Sequence, residues 1–347
     1  MADTMRTVVL AERPVGDIIP GQTFNVKLVP KPTADQLKEG EILVEALYLS
    51  LDPAMRGWLQ DVRSYLPPVQ IGAVMRGATV SRVVASRSSL AAVGDHVYAQ
   101  TGWVEHAILR EGQFEPPSTY PSGTKPKDMI SLLGLTGLTA WVGMTKIGQP
   151  KAGDTVVVSG AAGATGSVAG QIAKLNGARV IGIAGGAEKC KWLTEELGFD
   201  VALDYKAPDF AEKFQEATPN FIDVYFDNVG GEILNMCLQR AKEHARFVMC
   251  GGISQYNAAK PQGPSAISRV VTMRIRMQGF IVFDHAADFP KGRAELAQWA
   301  AEGKIRGVEH VLPGGLEAAD VGLIGLFKGI NTGKMLVEVK NPADSKL

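Results

Sequence analysis

The stretch from Thr155 to Lys174 sets the terms on which this chain can fold. It opens as a short β-branched run, Thr155-Val-Val-Val-Ser159, passes glycines at 160, 163 and 166, and continues with apolar Val168, Ile172 and Leu175 at helical spacing. The pattern predicts a strand, a tight turn and a helix. Glycines at such a turn remove the Cβ atoms that would keep a pyrophosphate from the backbone, and the helix start offers free N–H groups and the positive end of its dipole. The stretch reads as a dinucleotide cradle. Its spacing is G-x-x-G-x-x-G rather than G-x-G-x-x-G, and a glycine-lined helix packed closely on a strand would use the same residues.

The next apolar run narrows the reading. Arg179-Val-Ile-Gly-Ile-Ala184 ends about 20 residues beyond the turn, where folds of this kind place the residue that reads the adenosine ribose. An Asp or Glu there would accept from the ribose 2′-hydroxyl. The chain instead has Gly185-Gly186, followed by Lys189. A missing carboxylate and a following cation favour a 2′-phosphate, hence NADP(H) over NAD(H). Taken alone, Lys189 is equally an ordinary solvated helix lysine.

Beyond the cradle the pattern alternates. Helices are expected at 187–197, 209–217 and 232–242, each followed by a strand, at 201–205, 221–227 and 245–250. A helix near 265–273 leads to a sixth strand at 276–282. Strands alternating with helices predict a doubly wound parallel sheet. Ligands of such sheets bind beyond the strands' carboxyl ends, which brings Asp227-Asn228-Val-Gly230-Gly231 and Cys250-Gly-Gly-Ile-Ser-Gln-Tyr256 to the nicotinamide half.

The first 125 or so residues differ, with recurrent proline and glycine and short strand-like runs at 41–47, 78–85 and 104–109. Within them Tyr48-Leu-Ser-Leu-Asp-Pro53-Ala-Met-Arg56 ends a strand and turns at Asp-Pro. Its polar groups either face a cleft or form a surface Asp52–Arg56 ion pair. From 129 to 147 the pattern predicts one apolar helix containing Gly134 and Gly137. The tail suggests a strand at 308–312, a helix at about 316–329 and a strand at 334–339 that return to the first domain. The expected division is 1–127, 128–312 and 313–347.

Composition removes several classes of function. A chain of 347 residues can hold two domains, each with its own core. Lys+Arg and Asp+Glu are 36 each, with no basic block, so neither nucleic acid nor an anionic membrane is an expected partner. Three scattered cysteines, no apolar leader run and no run of membrane-spanning length point to the cytoplasm. The first domain has no cysteine, and the five histidines are dispersed singly. A catalytic zinc takes about three such ligands and a structural one four, so no metal is expected.

Six motifs in order carry a resemblance over about residues 5–340. They are Tyr48-Leu-Ser-x-Asp-Pro-x-Met-Arg56, Gly134-Leu-Thr-Gly-Leu-Thr-Ala140, Ala161-Ala-Gly-Ala-Thr-Gly166, Phe226-Asp-Asn-Val-Gly-Gly231, Cys250-Gly-Gly-Ile-Ser-Gln-Tyr-Asn257 and Asn331-Thr-Gly-Lys334. Together they resemble the zinc-independent medium-chain dehydrogenase/reductases, in the branch of prostaglandin reductases, leukotriene dehydrogenases, plant alkenal double-bond reductases and bacterial curcumin reductase. The resemblance implies an α/β protein: a GroES-like β-rich catalytic domain, completed by the tail, plus a Rossmann doubly wound parallel sheet. It also implies a homodimer paired through the last Rossmann strand.

Carried over residue by residue, the resemblance gives Gly163, Ala164, Thr165 and Gly166 to the pyrophosphate, and Lys189 and Tyr205 to the 2′-phosphate. Asn228, Cys250, Gly251, Ile253, Ser254, Tyr256, Phe280, Ile281, Val282 and Asn331 would line the ribose and nicotinamide. Tyr205 also reads as a half-buried strand tyrosine, and Asn331 as a turn residue before Gly333. Thr272 departs from the family, standing where mammalian members carry a substrate-side tyrosine.

Without a Lewis acid, hydride transfer to a plain ketone loses its usual activation. An α,β-unsaturated aldehyde or ketone needs only hydrogen bonding at the enolate oxygen and a proton at the α-carbon. The expected reaction is therefore NADPH-dependent reduction of that carbon–carbon double bond. Tyr256 is the first candidate to stabilise the oxygen and Tyr48 the second, while packing against the cofactor is the other role open to Tyr256. A quinone reductase and a non-catalytic NADPH-binding protein are the alternatives.

Overall fold

The structure is a computed structural model that describes residues 3–341. Its backbone contacts gather into two units. One holds the chain up to Ile130, Glu309–Ile330 and the chain from Met335 onward; the other holds Ser131–Val308 and Asn331–Lys334.

The second unit is built on six parallel strands. Across the sheet they run Val201–Asp204, Arg179–Ala184, Thr155–Ser159, Ile222–Asp227, Ala241–Met249 and Arg276–Gly279, the chain order 3-2-1-4-5-6. Val156, Val157 and Val158 are all 0% exposed, as a strand covered on both faces requires. On one face Val157, Ile181, Phe214, Tyr225, Leu238 and Phe247 belong to a single core. Winding reverses between Thr155–Ser159 and Ile222–Asp227. The ligand crevice of such a sheet opens beyond the carboxyl ends of those two strands.

Four elements differ from the sequence reading, the helix expected near 265–273 being only the short Arg269–Thr272. The helix expected over 129–147 is two, Pro126–Ile130 and Leu135–Val142, the second running into a π-helical turn at Gly143–Gly148. A Cβ on Gly137 would stand 1.7 Å from the Leu132 carbonyl oxygen, so this glycine admits the chain's own preceding turn. The fifth strand starts earlier, at Ala241, which pairs with Ile222; the ladder then shifts register and resumes at Arg246, with the exposed Lys242, Glu243 and His244 in the irregular stretch between. The sixth stops at Gly279, and a 3-10 segment begins at Val282.

In the first unit seven strands make the main sheet. Glu41–Ser50 pairs antiparallel with Thr79–Ser86, His106–Arg110 and Lys334–Glu338, so the tail is part of the same sheet as the N-terminal strands. Phe24 and Trp103 pack in the core with ring centroids 5.1 Å apart. Arg56 is 2% exposed and donates to the carbonyls of Gly16 (2.7 Å) and Pro14 (3.1 Å). It is thus buried rather than on the surface, and it fastens the loop that leads to Phe24. Asp52 accepts from the Ser50 hydroxyl at 2.5 Å.

Gly137→Ala sets two effects against each other. Alanine favours a helix by about 1 kcal/mol, but overlap with a fixed carbonyl costs about 1–3 kcal/mol. The overlap is expected to win, and a thermal melt of the variant should fall below wild type; an equal or higher melting temperature contradicts the close approach.

Candidate active site

The glycine turn links the first parallel strand to the helix Ala164–Leu175. Gly160 sits at φ +57, the left-handed region. Gly163 is the extended N-cap residue and makes no side-chain cap. The Ser167 N–H is bonded to the Gly163 carbonyl at 3.0 Å, so the amides of Ala164, Thr165 and Gly166 precede the helical ladder. They present the partial positive charge of the helix start. A Cβ on Gly166 would stand 2.4 Å from the Gly160 oxygen, so the turn itself demands a glycine there before any ligand does.

A segment distant in sequence lies along this turn. Gly333 forms a parallel bridge with Gly163 and donates its N–H to the Ala162 carbonyl at 2.8 Å. Asn331, 9% exposed, donates from Nδ2 to the Gly333 carbonyl at 2.8 Å. That bond orients the Asn331 amide.

At the end of the next strand, a Cβ on Gly185 would stand 2.9 Å from the Tyr205 ring and 3.2 Å from Lys206 Cε. The Lys206 ammonium lies 5.8 Å from the centre of that ring. Lys189 is half-buried; burial pushes its pKa down and the charge of Lys206 adds to the effect. Asp204 is also near, but its Oδ1 accepts from the backbone N–H groups of Gly186 (2.9 Å) and Lys206 (3.0 Å), which hold its pKa down. The result is two cations and an exposed tyrosine ring around a glycine pair. Lys206 escaped the sequence reading because a lysine after a strand has no pattern of its own.

The third group of residues lies beyond the fourth and fifth strands. Asn228 donates from Nδ2 to the Ser159 carbonyl at 2.7 Å, and the Ser159 hydroxyl accepts from the Asn228 N–H at 3.0 Å. The Ile253 N–H is bonded to the Asn228 carbonyl at 3.1 Å, and Ser254 reaches the Val229 carbonyl through both its N–H (3.1 Å) and its hydroxyl (2.6 Å). Tyr256 folds back so that its hydroxyl accepts from the Gly252 N–H at 3.0 Å; a Cβ on Gly251 would meet that oxygen at 2.9 Å. Burial pushes the Cys250 thiol up to about 12, so it is an inert wall group. Phe280 follows the last strand, and its ring lies 3.1 Å from where a Gly143 Cβ would be. Ile281 is extended and Val282 buried.

Tyr48 belongs to the first unit, on the Glu41–Ser50 strand, 5% exposed. The Lys127 ammonium sits 5.6 Å from its ring centre. Burial, helped by the charge of Glu338, raises its pKa, so the phenol keeps its proton. Thr272 is exposed at the end of the short helix Arg269–Thr272. Among the described residues, no three or more His, Cys, Asp or Glu side chains gather as metal ligands would.

An uncapped glycine turn at one strand end and a lysine pair at the next fit the pyrophosphate and 2′-phosphate of NADP(H). Comparison with known proteins agrees with this architecture. Residues 6–116 match the model described as the N-terminal domain of oxidoreductase, and 164–299 match the zinc-binding dehydrogenase model. The NADPH-dependent curcumin reductase of Escherichia coli is 43% identical over 340 residues, 96% of each chain. The chain belongs to the prostaglandin reductase and alkenal reductase family of zinc-independent medium-chain dehydrogenase/reductases. This reductase is also similar to the NADP(+)-dependent 2-alkenal reductase of Nicotiana tabacum, at 38% identity over 86% of this chain and 87% of that one. A solved structure of CurA from Vibrio vulnificus in complex with NADPH superposes with a TM-score of 0.90, at 44% identity over 97% of this chain and all of that one.

In the reductase, Gly166→Ala is expected to disturb the turn even without ligand. The melting temperature should fall, and NADPH affinity measured by fluorescence titration should weaken by about tenfold or more, since the amides shift by a few tenths of an ångström. Unchanged affinity would mean that the turn does not hold the nucleotide.

Proposed function

We propose that this protein reduces the carbon–carbon double bond of α,β-unsaturated aldehydes or ketones with NADPH. The observation that carries the cofactor half is the pairing of the uncapped Gly163–Gly166 turn with Lys189, Tyr205 and Lys206 at the adjacent strand end. Similarity along nearly the whole chain to reductases named for curcumin and for 2-alkenals supports the substrate half.

Bound NADPH supplies the hydride. The chain's own groups bind it and manage charge. The amides of Ala164, Thr165 and Gly166 hold the pyrophosphate, while Lys189 and Lys206 neutralise the 2′-phosphate with Tyr205 beside them. Asn228, Asn331, the backbone of the Cys250–Tyr256 loop and the Phe280–Val282 segment hold the ribose and nicotinamide. When a hydride reaches the β-carbon of an enone, negative charge collects on the carbonyl oxygen and a proton is owed to the α-carbon. The Tyr256 hydroxyl already accepts from Gly252, and a phenol oxygen that accepts is a stronger donor to the next group. It stabilises that oxygen. Tyr48, kept protonated by burial, is the second donor.

The proposed assembly is a homodimer, a second copy pairing along the Arg276–Gly279 strand that ends the sheet, and the proposed compartment is the cytoplasm.

The decisive assay follows NADPH and NADH oxidation at ~340 nm with a 2-alkenal, an enone and a quinone, and identifies the products. Saturated carbonyl products formed much faster with NADPH support the proposal; turnover confined to quinones makes it a quinone reductase. Lys189→Ala and Lys206→Ala are each expected to raise KM for NADPH about tenfold, one charge-assisted bond, and to leave KM for NADH nearly unchanged. Tyr256→Phe should lower kcat for the enone at least about tenfold; retention within about twofold would leave Tyr256 a packing residue.

A further inference from the structure

Asp227 is a buried carboxyl group that the functional reading does not use. It is 0% exposed and ends the fourth strand, beneath the crevice. Its Oδ1 accepts from four donors: the Tyr225 hydroxyl at 2.7 Å, the Gly230 N–H at 2.8 Å, the Val229 N–H at 2.9 Å and the Ser159 hydroxyl at 3.1 Å. Its Oδ2 is buried with no partner among the described residues. Its backbone carbonyl accepts from the N–H groups of Cys250 (2.9 Å) and Gly251 (3.0 Å). One residue thus ties together the turn after the fourth strand and the loop after the fifth.

The bonds continue outward from it. Ser159 receives Asn228 on its hydroxyl and on its carbonyl, which fixes the Asn228 side chain. The Asn228 and Val229 carbonyls hold Ile253 and Ser254, and the Gly252 N–H holds the Tyr256 hydroxyl. Burial raises the pKa of the Asp227 carboxyl, against the pull of its donors, so the group is costly to keep where it is. Buried polar groups kept at such cost are retained where they fix one geometry among several.

We infer that Asp227, through its Oδ1 acceptor and the Ser159 hydroxyl, is a positioning residue that sets Asn228 and the Cys250–Tyr256 loop in the geometry that receives the nicotinamide end of NADPH. The inference rests on the proposed cofactor reading of these two loops. It makes the acceptor oxygen, rather than the charge, the working feature: four donors converge on Oδ1 and none on Oδ2.

Three variants test it: Asp227→Ala, Asp227→Asn and Ser159→Ala. The readouts are NADPH dissociation constants by fluorescence, the melting temperature without ligand, amide hydrogen exchange at residues 228–230 and 250–254, and KM and kcat with an enone. Ser159→Ala, which removes one buried bond to Asp227, should weaken NADPH binding and raise KM by about tenfold, Asp227→Ala, which removes all four, should do so at least as strongly, and both should speed exchange at those amides. Asp227→Asn, which keeps the acceptor, should stay within about threefold of wild type. A merely structural role would lower the melting temperature and the active fraction, hence kcat, while leaving KM and the dissociation constant unchanged. Should Asp227→Ala fail to fold, the other two decide: Ser159→Ala within about twofold of wild type, or Asp227→Asn as impaired as Ser159→Ala, overturns the inference. Failure of wild type to bind NADPH would instead sink the cofactor reading itself.

Discussion

Parallel pairing of the central strand Thr155–Ser159 with Arg179–Ala184 and Ile222–Asp227 is the constraint on which the rest of the second unit depends. Parallel strands end at one edge, and each must hand the chain to a crossover before the next can begin. The glycine turn, the lysine pair and the Asp227 turn therefore emerge side by side although tens of residues separate them. Burial of Val156 to Val158 holds the ladder in register. A slip by one residue would reverse which side chains face each helical layer.

Within that edge, backbone groups line the strand ends and side chains mostly orient backbone. Gly163 to Gly166 expose amides, the Cys250–Tyr256 loop presents a main chain pinned to Asn228 and Val229, and Asn331 is itself fixed by a carbonyl two residues on. This suits a cofactor that must be held repeatedly in one pose: ordered amides lose little entropy when they meet a ligand. The groups that differ in kind are Lys189 and Lys206, whose charges crowd one another.

Much of this was legible in the sequence because periodicity survives wherever a strand or helix buries a face. The strand and helix around Gly160 and the alternation that follows were readable for that reason, as was the absence of an acid after Ala184. The break at Ser131–Gly134 was not: the flanking residues are apolar throughout, and only the approach of the Leu132 carbonyl to Gly137 shows why two helices are needed. The start at Ala241 was hidden because Lys242 to His244 are polar and exposed. Asp227 and Ser159 look like turn residues at two strand ends, and their meeting becomes visible only when the strands pair.

The short excursion Asn331–Lys334 sits in the second unit between two stretches of the first. A cofactor-binding unit cut out as the continuous piece 131–308 would therefore lose the Gly333 N–H that closes onto Ala162 and the Asn331 amide beside it. The binding edge is discontinuous in the gene, so recombination that swaps one uninterrupted segment cannot carry it whole. Lineages with this layout would be expected to diversify by altering loops in place rather than by exchanging the nucleotide-binding unit as a module.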